Sequence, residues 1–515
     1  MVTRLMMAGA VLIGACGGGK GDATHRARAD RSEPPLEALA DQEPAALDLA
    51  ESGEDVLAEA RQINADTPPP ETMRPGHVTR KLGPSSVTTA GATGFSVQLP
   101  SRAPVPTPVV TGDLVVVSGG FKSRDFYAFD ARTGAQRWAI DLSDDGPSTA
   151  ACAEGVCVFN TESCTTFAVD AATGEQKWSW WLGDPQLAAP AISNGRVFAA
   201  YPAAAPYRHA TTTTAGTTYS HGIGAFELHT GTSIWHKWID ADVMSSPVAV
   251  GGRLYFTTFA GTVYKLDQAT GEILSARRDR ATSAPVVVGR HVYYTRRTDG
   301  AGDPAEEGVV RNNMVTGEND WVRAKKAAPY LDAKVQRGST YWSQGVHNDT
   351  ANGFGAGAPA TAKAGLALDI VGQGSVSTLQ AFQGSRVLAF GNSNIITMGD
   401  EVVATDARRG TRLWSHKLEG DVARSGGFLA SPPAAAGYGI LVGTLAGKVL
   451  LLEPETGKTL AQLEVGSPVR AQPIAHEGWI YVGTEDGRLV AIDTKNPRVT
   501  GWTHWGGDAA RTGVR

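Results

Sequence analysis

The chain has 515 residues, a net charge of −5 and 61 glycines. No basic stripe runs along it, which argues against a nucleic-acid binder. No CxxC, CxxCH or HExxH motif occurs, so haem and zinc sites have no support in the sequence.

The first 16 residues read as an export signal. Arg4 supplies the positive start, and LMMAGAVLIGA (5–15) is an apolar run too short to span a bilayer. The run ends Ile13-Gly14-Ala15-Cys16, which resembles a bacterial lipoprotein box. That resemblance implies cleavage before Cys16 and lipidation of its thiol. Gly17 follows rather than Asp, which by analogy with Gram-negative sorting favours the outer membrane. Residues 17–93 are expected to be a disordered linker. No Phe, Tyr or Trp occurs before Phe95, so this stretch cannot bury much surface. Within it, LDLAESGEDVLAEARQIN (47–64) has helical spacing at Leu47, Val56, Leu57 and Ala60, interrupted by Gly53.

From residue 94 a phrase recurs: an apolar strand, then Asp-x-x-Thr-Gly, then usually Trp four residues after the Gly. It reads FDARTGAQRW (129–138), VDAATGEQKW (169–178), FELHTGTSIW (226–235), LDQATGEILS (266–275), NMVTGENDW (313–321), TDARRGTRLW (405–414) and LEPETGKTLA (452–461). The base period is about 40 residues, the length of four short antiparallel strands joined by Gly turns. An eighth unit, AQPIAHEGWIYVGTEDGRLVAID (471–493), keeps the strands but replaces the turn with TKNP. The expected fold is therefore all-β, an eight-bladed propeller of four-stranded antiparallel blades over residues 94–515. GFSVQLPS (94–101) has no blade before it and would complete blade eight. The tail GWTHWGGDAARTG (501–513) competes for, or covers, the same place.

The Asp of the phrase can accept hydrogen bonds from its own turn, and the Gly takes the positive φ that the turn needs. Trp138, Trp178, Trp235, Trp321 and Trp414 lie on the strand leaving the turn, where a flat ring can fill the space between blades. Cys152 and Cys157 flank a hairpin turn in blade two and could face one another across it; with Cys164 as a third thiol, one is left over.

Two inserts break the period, YPAAAPYRHATTTTAGTTYSH (201–221) and a longer one starting at KKAAPYLDAKV (325–335). Loops on a rigid scaffold commonly carry binding. Tyr207, Tyr219, Tyr330, Tyr341 and Trp342 are the candidate partner anchors, against the plain alternative of solvated decoration. His209, His221 and His229 lack a metal-ligand spacing and read as solvent-facing or turn residues. Asp299, Asp303, Glu306 and Glu307 lack the order of a calcium loop.

The blade phrase resembles the PQQ-type propeller repeat, and the tail Trp502-Thr-His-Trp505-Gly506-Gly507-Asp508 to Gly513 resembles another segment of that superfamily. The enzyme branch comprises quinoprotein dehydrogenases, which bind pyrroloquinoline quinone and a calcium-type ion on the propeller axis. Many of them carry two adjacent Cys beside the cofactor; this chain has no adjacent Cys pair and no recognisable Asn–Asp–Glu metal set. The non-enzyme branch includes the outer-membrane assembly lipoproteins of the BamB kind. The resemblance therefore implies no catalytic residues and no bound cofactor. It implies instead a scaffold anchored through lipid on the periplasmic side of the outer membrane, whose partner is an envelope protein, such as the outer-membrane assembly complex. The alternatives are a PQQ-dependent dehydrogenase and a surface-exposed binder of glycan or protein.

Overall fold

The computed structural model describes residues 37–38, 45–46, 57–58, 61–62, 64–65, 81–120, 123–161, 165–182, 188–202, 211–212, 218–219, 221–258, 260–279, 281, 283–297, 306–313, 315, 319–326, 387–421, 425 and 429–513. Eight antiparallel sheets follow one another along the chain. Blade one comprises Val109–Thr111, Leu114–Ser118, Asp125–Asp130 and Gln136–Asp141. Blades two to seven begin at Ala151, Ala191, Val248, Val286, Val387 and Ala434, and each again has four strands in chain order. Blade eight takes three strands from Ile474–Asp493 and receives Ala92–Gln98 as its fourth, with Ser85–Thr89 added outside it. The first strands of the blades neighbour one another in a closed circuit, which makes them the inner wall of a ring. The eight blades and the closure through the strand after residue 94 agree with the repeat reading.

The recurring phrase does what its chemistry suggests. In blade one the Asp130 carboxylate accepts hydrogen bonds from the Arg132 and Thr133 amides and the Thr133 hydroxyl, at 3.1, 2.9 and 2.8 Å. Desolvation opposes the charge, but these bonds and that from Arg137 prevail and hold its pKa at about 2. Asp170 and Asp267 repeat the arrangement, and Glu227 substitutes for Asp in blade three.

The Gly of each turn has a second role beyond its positive φ. Gly174, Gly231 and Gly271 lie flat beneath Trp138, Trp178 and Trp235 of the preceding blade; a Cβ on them would sit 2.9, 2.7 and 2.5 Å from the indole. Gly457 sits against Trp414 in the same way. Each indole N–H then donates across the blade gap to the Ala171, Leu228, Gln268 or Pro454 carbonyl, at 3.1, 2.8, 3.0 and 2.8 Å. Phe95 takes the Trp position against Gly134, and so seals blade eight to blade one. Trp321 lies in the last strand of blade five opposite Arg311, and its side chain lies outside the described residues.

The N-terminal segment departs from the expectation of a linker reaching to residue 93. Ser85–Thr89 is a strand of blade eight. Before it, short pieces lie on the outer edges of successive blades in descending order. Glu37–Ala38 pairs with the last strand of blade five and Ala45–Ala46 with that of blade four. Residues 57–58, 61–62 and 64–65 are helical, in the stretch with helical spacing. Arg61 donates to the Ser233 hydroxyl of blade three. Asn64 pairs through both side-chain atoms with the Trp181 backbone of blade two, and the Leu82 amide donates to Gln136 of blade one. The physical reason is that an outermost strand leaves unpaired amides and carbonyls, and backbone needs no aromatic residue to pair with them. The described pieces of this segment, from Glu37 onward, lie as a belt on the outer edges of blades five, four, three, two and one in turn.

Candidate functional site

The axis of a propeller is where a small-molecule site would sit, and here the chain's own tail runs around it. The tail passes one blade after another. Gly501 bridges to Ala436 of blade seven. The Trp502 carbonyl accepts from the Ala475 amide of blade eight, and that of Thr503 from the Val110 amide of blade one, both at 2.8 Å. His504 meets the Cys152 carbonyl of blade two at 3.0 Å. The carbonyls of Ala509 and Ala510 accept from Ile192 and Ala249 of blades three and four, at 2.8 and 2.9 Å. Gly513 lies against Val286 of blade five. Each inner strand is itself a sheet edge, and on blades eight, one, three and four the tail supplies acceptors for inward-facing amides.

Arg511 locks this arrangement. It is 2% exposed, and its guanidinium stacks on Trp505 at 4.2 Å. It donates to the carbonyls of Trp505 at 3.0 Å, Ala150 at 2.9 Å and Pro190 at 3.3 Å. Burial lowers its pKa to about 9, opposed by Asp508, so it remains a cation at neutral pH. One guanidinium thereby ties the tail to the starts of blades two and three. Between the tail and the inner strands lies a cavity of about 10 Å³, lined by Trp502, Trp505, Gln472, Arg511, Val248 and Val387 among others. That is room for roughly one water molecule.

His504 belongs to the same lock. Its Nε2 faces the Cys152 carbonyl, and its Nδ1 lies 2.8 Å from the Thr503 hydroxyl. The neutral ring satisfies both contacts, donating from Nε2 and accepting at Nδ1. Burial first, and the charge of Arg511 second, push its pKa down to about 4, against the pull of the carbonyl. A folded pKa below the unfolded value of 6.5 contributes stability above pH 6.5 that is lost as pH falls toward 4. The expected loss at the bottom of that window is about 2–3 kcal/mol. Urea unfolding at pH 7 and pH 4.5 should show it, and His504→Gln should flatten the difference.

Buried carboxyls elsewhere pin loops. Asp240 accepts from the Thr258, Thr262 and Tyr264 hydroxyls at 2.9, 2.5 and 3.3 Å, and burial raises its pKa. Asp144 receives Thr161 in the same manner at the junction of blades one and two, two junctions earlier in the ring. Among the described residues, no group of three His, Cys, Asp or Glu is placed to hold a metal ion.

Cys152 and Cys157 face one another in register across the blade-two hairpin and are joined by a disulfide. Cys16, Cys164, Tyr207, Tyr330, Tyr341, Trp342, His209, Asp299 and Asp303 lie outside the described residues. Tyr219, read as an exposed anchor, is instead fully buried in the core beside Tyr201 and Trp238. The insert doubles back as a two-stranded hairpin, Thr211–Thr212 with Thr218–Tyr219, and its return strand carries Tyr219 inward. His221 is likewise buried, in the third strand of blade three, rather than solvent-facing. His229 is an exposed turn residue, 3.3 Å from Glu154. The residues missed by sequence reading are His504 and Arg511. The signal available was an Arg within a short run of small residues and Trp, where a buried cation needs carbonyl partners.

A family model described as outer membrane protein assembly factor BamB matches residues 219–346 and 399–512. No curated protein matches the chain. Among solved structures, BamB from Moraxella catarrhalis is 16% identical with a TM-score of 0.51, over 80% of this chain and 99% of that one. The computationally designed Ika8 protein is 14% identical with a TM-score of 0.51, over 76% and 96%. A quinohemoprotein alcohol dehydrogenase from Pseudomonas putida is 13% identical with a TM-score of 0.49, over 78% and 75%. At these identities the structures speak for the fold alone. The repeats, the eight closed blades and the family model agree: the chain is a PQQ-like-repeat β-propeller similar to the outer membrane protein assembly factor BamB.

Proposed function

We propose that this protein is a non-catalytic scaffold, held in the outer membrane through a lipid on Cys16, that binds a protein partner of outer-membrane assembly on its outer surface. The observation that carries this reading is the tail, residues 501–513, held against the inner strands around the axis, with a cavity of about 10 Å³ beside Trp505 and Arg511. A redox cofactor and its metal ion need a chamber there, whereas a binding scaffold needs only its rim and loops. The lipoprotein box at Cys16 and the description of the matching family model support the envelope setting. Binding then falls to the faces and inserts of the ring, and Tyr207, Tyr330, Tyr341 and Trp342 remain the anchors to mutate first.

Affinity capture of the tagged full chain from crosslinked membranes tests the proposal. Recovery of an outer-membrane assembly complex supports it, and Tyr341→Ala with Trp342→Ala should reduce the yield. Recovery of the protein alone after crosslinking would sink it.

A further inference from the structure

Two donors of the tail have no acceptor among the described residues. Trp502 and Trp505 are 4% and 2% exposed, and neither buried indole N–H makes a hydrogen bond. Buried donors of this kind are rare, because a group that loses water without gaining a partner is costly. The blades show the ordinary outcome: the indoles of Trp138, Trp178, Trp235 and Trp414 all donate to carbonyls. Both tail indoles wall the same cavity of about 10 Å³.

A cation lines that cavity as well. The Arg511 guanidinium is engaged by the carbonyls of Trp505, Ala150 and Pro190, which satisfy its donors but carry no net charge. Asp508 attracts it, yet Asp508 is exposed and its carboxylate receives the Thr512 amide and hydroxyl at 3.1 and 3.2 Å. His504, on the same stretch of tail, is neutral at pH 7. The buried positive charge is therefore offset only in part.

The rest of the wall favours an occupant that only accepts. Val248, Ala284, Pro285 and Val387 are apolar. The Ser246 hydroxyl donates to the Pro247 carbonyl at 3.2 Å. Gln472 donates to the Pro433 carbonyl and accepts from the Gly506 amide, both at 2.9 Å. A water molecule here could accept from the indoles, but its own two protons would have only the spare lone pairs of Ser246 and Gln472. A monatomic anion needs donors alone and gains from the cation. The volume has no room for sulfate, phosphate or a carboxylate.

We propose that this cavity binds a single chloride ion, held by the indole N–H groups of Trp502 and Trp505 beside the Arg511 guanidinium. The ion joins the start of the tail to its last turn and so fastens the tail on the ring. The site belongs to the axis alone and depends on neither the lipid anchor nor the partner.

Bromide, which replaces chloride and is located by its anomalous scattering, tests the site in crystals of the full chain soaked in sodium bromide. The expected result is an anomalous peak within hydrogen-bond distance of both indole nitrogens. In solution, exchange of sodium gluconate for sodium chloride at fixed ionic strength should raise the melting temperature by about 2–4 °C and then saturate. Trp505→Phe keeps an aromatic face under Arg511 but has no N–H, and it should lose the saturable rise. Trp414→Phe, between blades six and seven, should keep it. If Trp505→Phe does not fold, the bromide map of the parent chain decides. Bromide peaks at the surface alone, a water without anomalous signal in the cavity, or an equal chloride response in Trp505→Phe and the parent would overturn the proposal.

Discussion

Arg511→Ala should lower the stability of the ring by about 4–5 kcal/mol, the cost expected when a fully engaged buried cation is removed from its acceptors. The guanidinium donates to three buried carbonyls, those of Trp505, Ala150 and Pro190, and covers one face of Trp505. Alanine leaves those acceptors without donors and opens space beside a cavity that is already there. Arg511→Lys should recover less than half of the loss, because an ammonium cannot present a planar fork to carbonyls on two blades. Hydrogen exchange separates this from a general loss of stability. The amides of Val110, Ile192, Ala249 and Ala475, which donate to tail carbonyls, should lose protection first. If those amides stay as protected as their neighbours in Arg511→Ala, the tail is not held by this residue.

Gly271→Ala should cost about 4 kcal/mol, while Gly252→Ala costs about 1 kcal/mol. The two glycines have nearly the same backbone, φ of +71° and +73°, so the conformational penalty is common to both. They differ in what lies above them. A Cβ on Gly252 meets nothing within 4 Å, whereas one on Gly271 meets Trp235 at 2.5 Å. The difference between the two measured losses is therefore the cost of unseating the indole from the blade gap, including its bond to the Gln268 carbonyl. Urea melts of the two variants give it directly. Equal losses would mean that the Gly of the phrase serves its turn and not the neighbouring blade.

That pair of glycines also marks what the chain made readable. The turn chemistry and the Trp positions are local, so a repeat read along one strand predicts them, and Asp130, Gly174 and Trp178 stand where their residue types require. The partner of each Trp was not readable. It is the Gly of the next phrase, about 40 residues on, and only ring closure brings the two together. The belt was hidden for a different reason. Backbone pairing by Glu37–Ala38 and Ala45–Ala46 leaves no mark in side-chain pattern, and the absence of aromatics says nothing of edge pairing. Tyr219 was misjudged because an insert rich in Thr and Ala looks solvated until its return strand is placed. His504 and Arg511 were overlooked because a charged residue in a tail reads as exposed, and its burial depends on seven blades presenting their inner edges to one strand of chain.

The tail around the axis, residues 501–513, is the feature on which the proposed binding scaffold would differ from a quinone enzyme. The most direct test is to add pyrroloquinoline quinone and calcium to the pure full chain, recording its melting temperature and the reduction of an artificial electron acceptor with alcohols and sugars. A closed axis gives an unchanged melting temperature and no dye reduction. A rise in melting temperature that grows with quinone concentration, accompanied by substrate-dependent dye reduction, would contradict it.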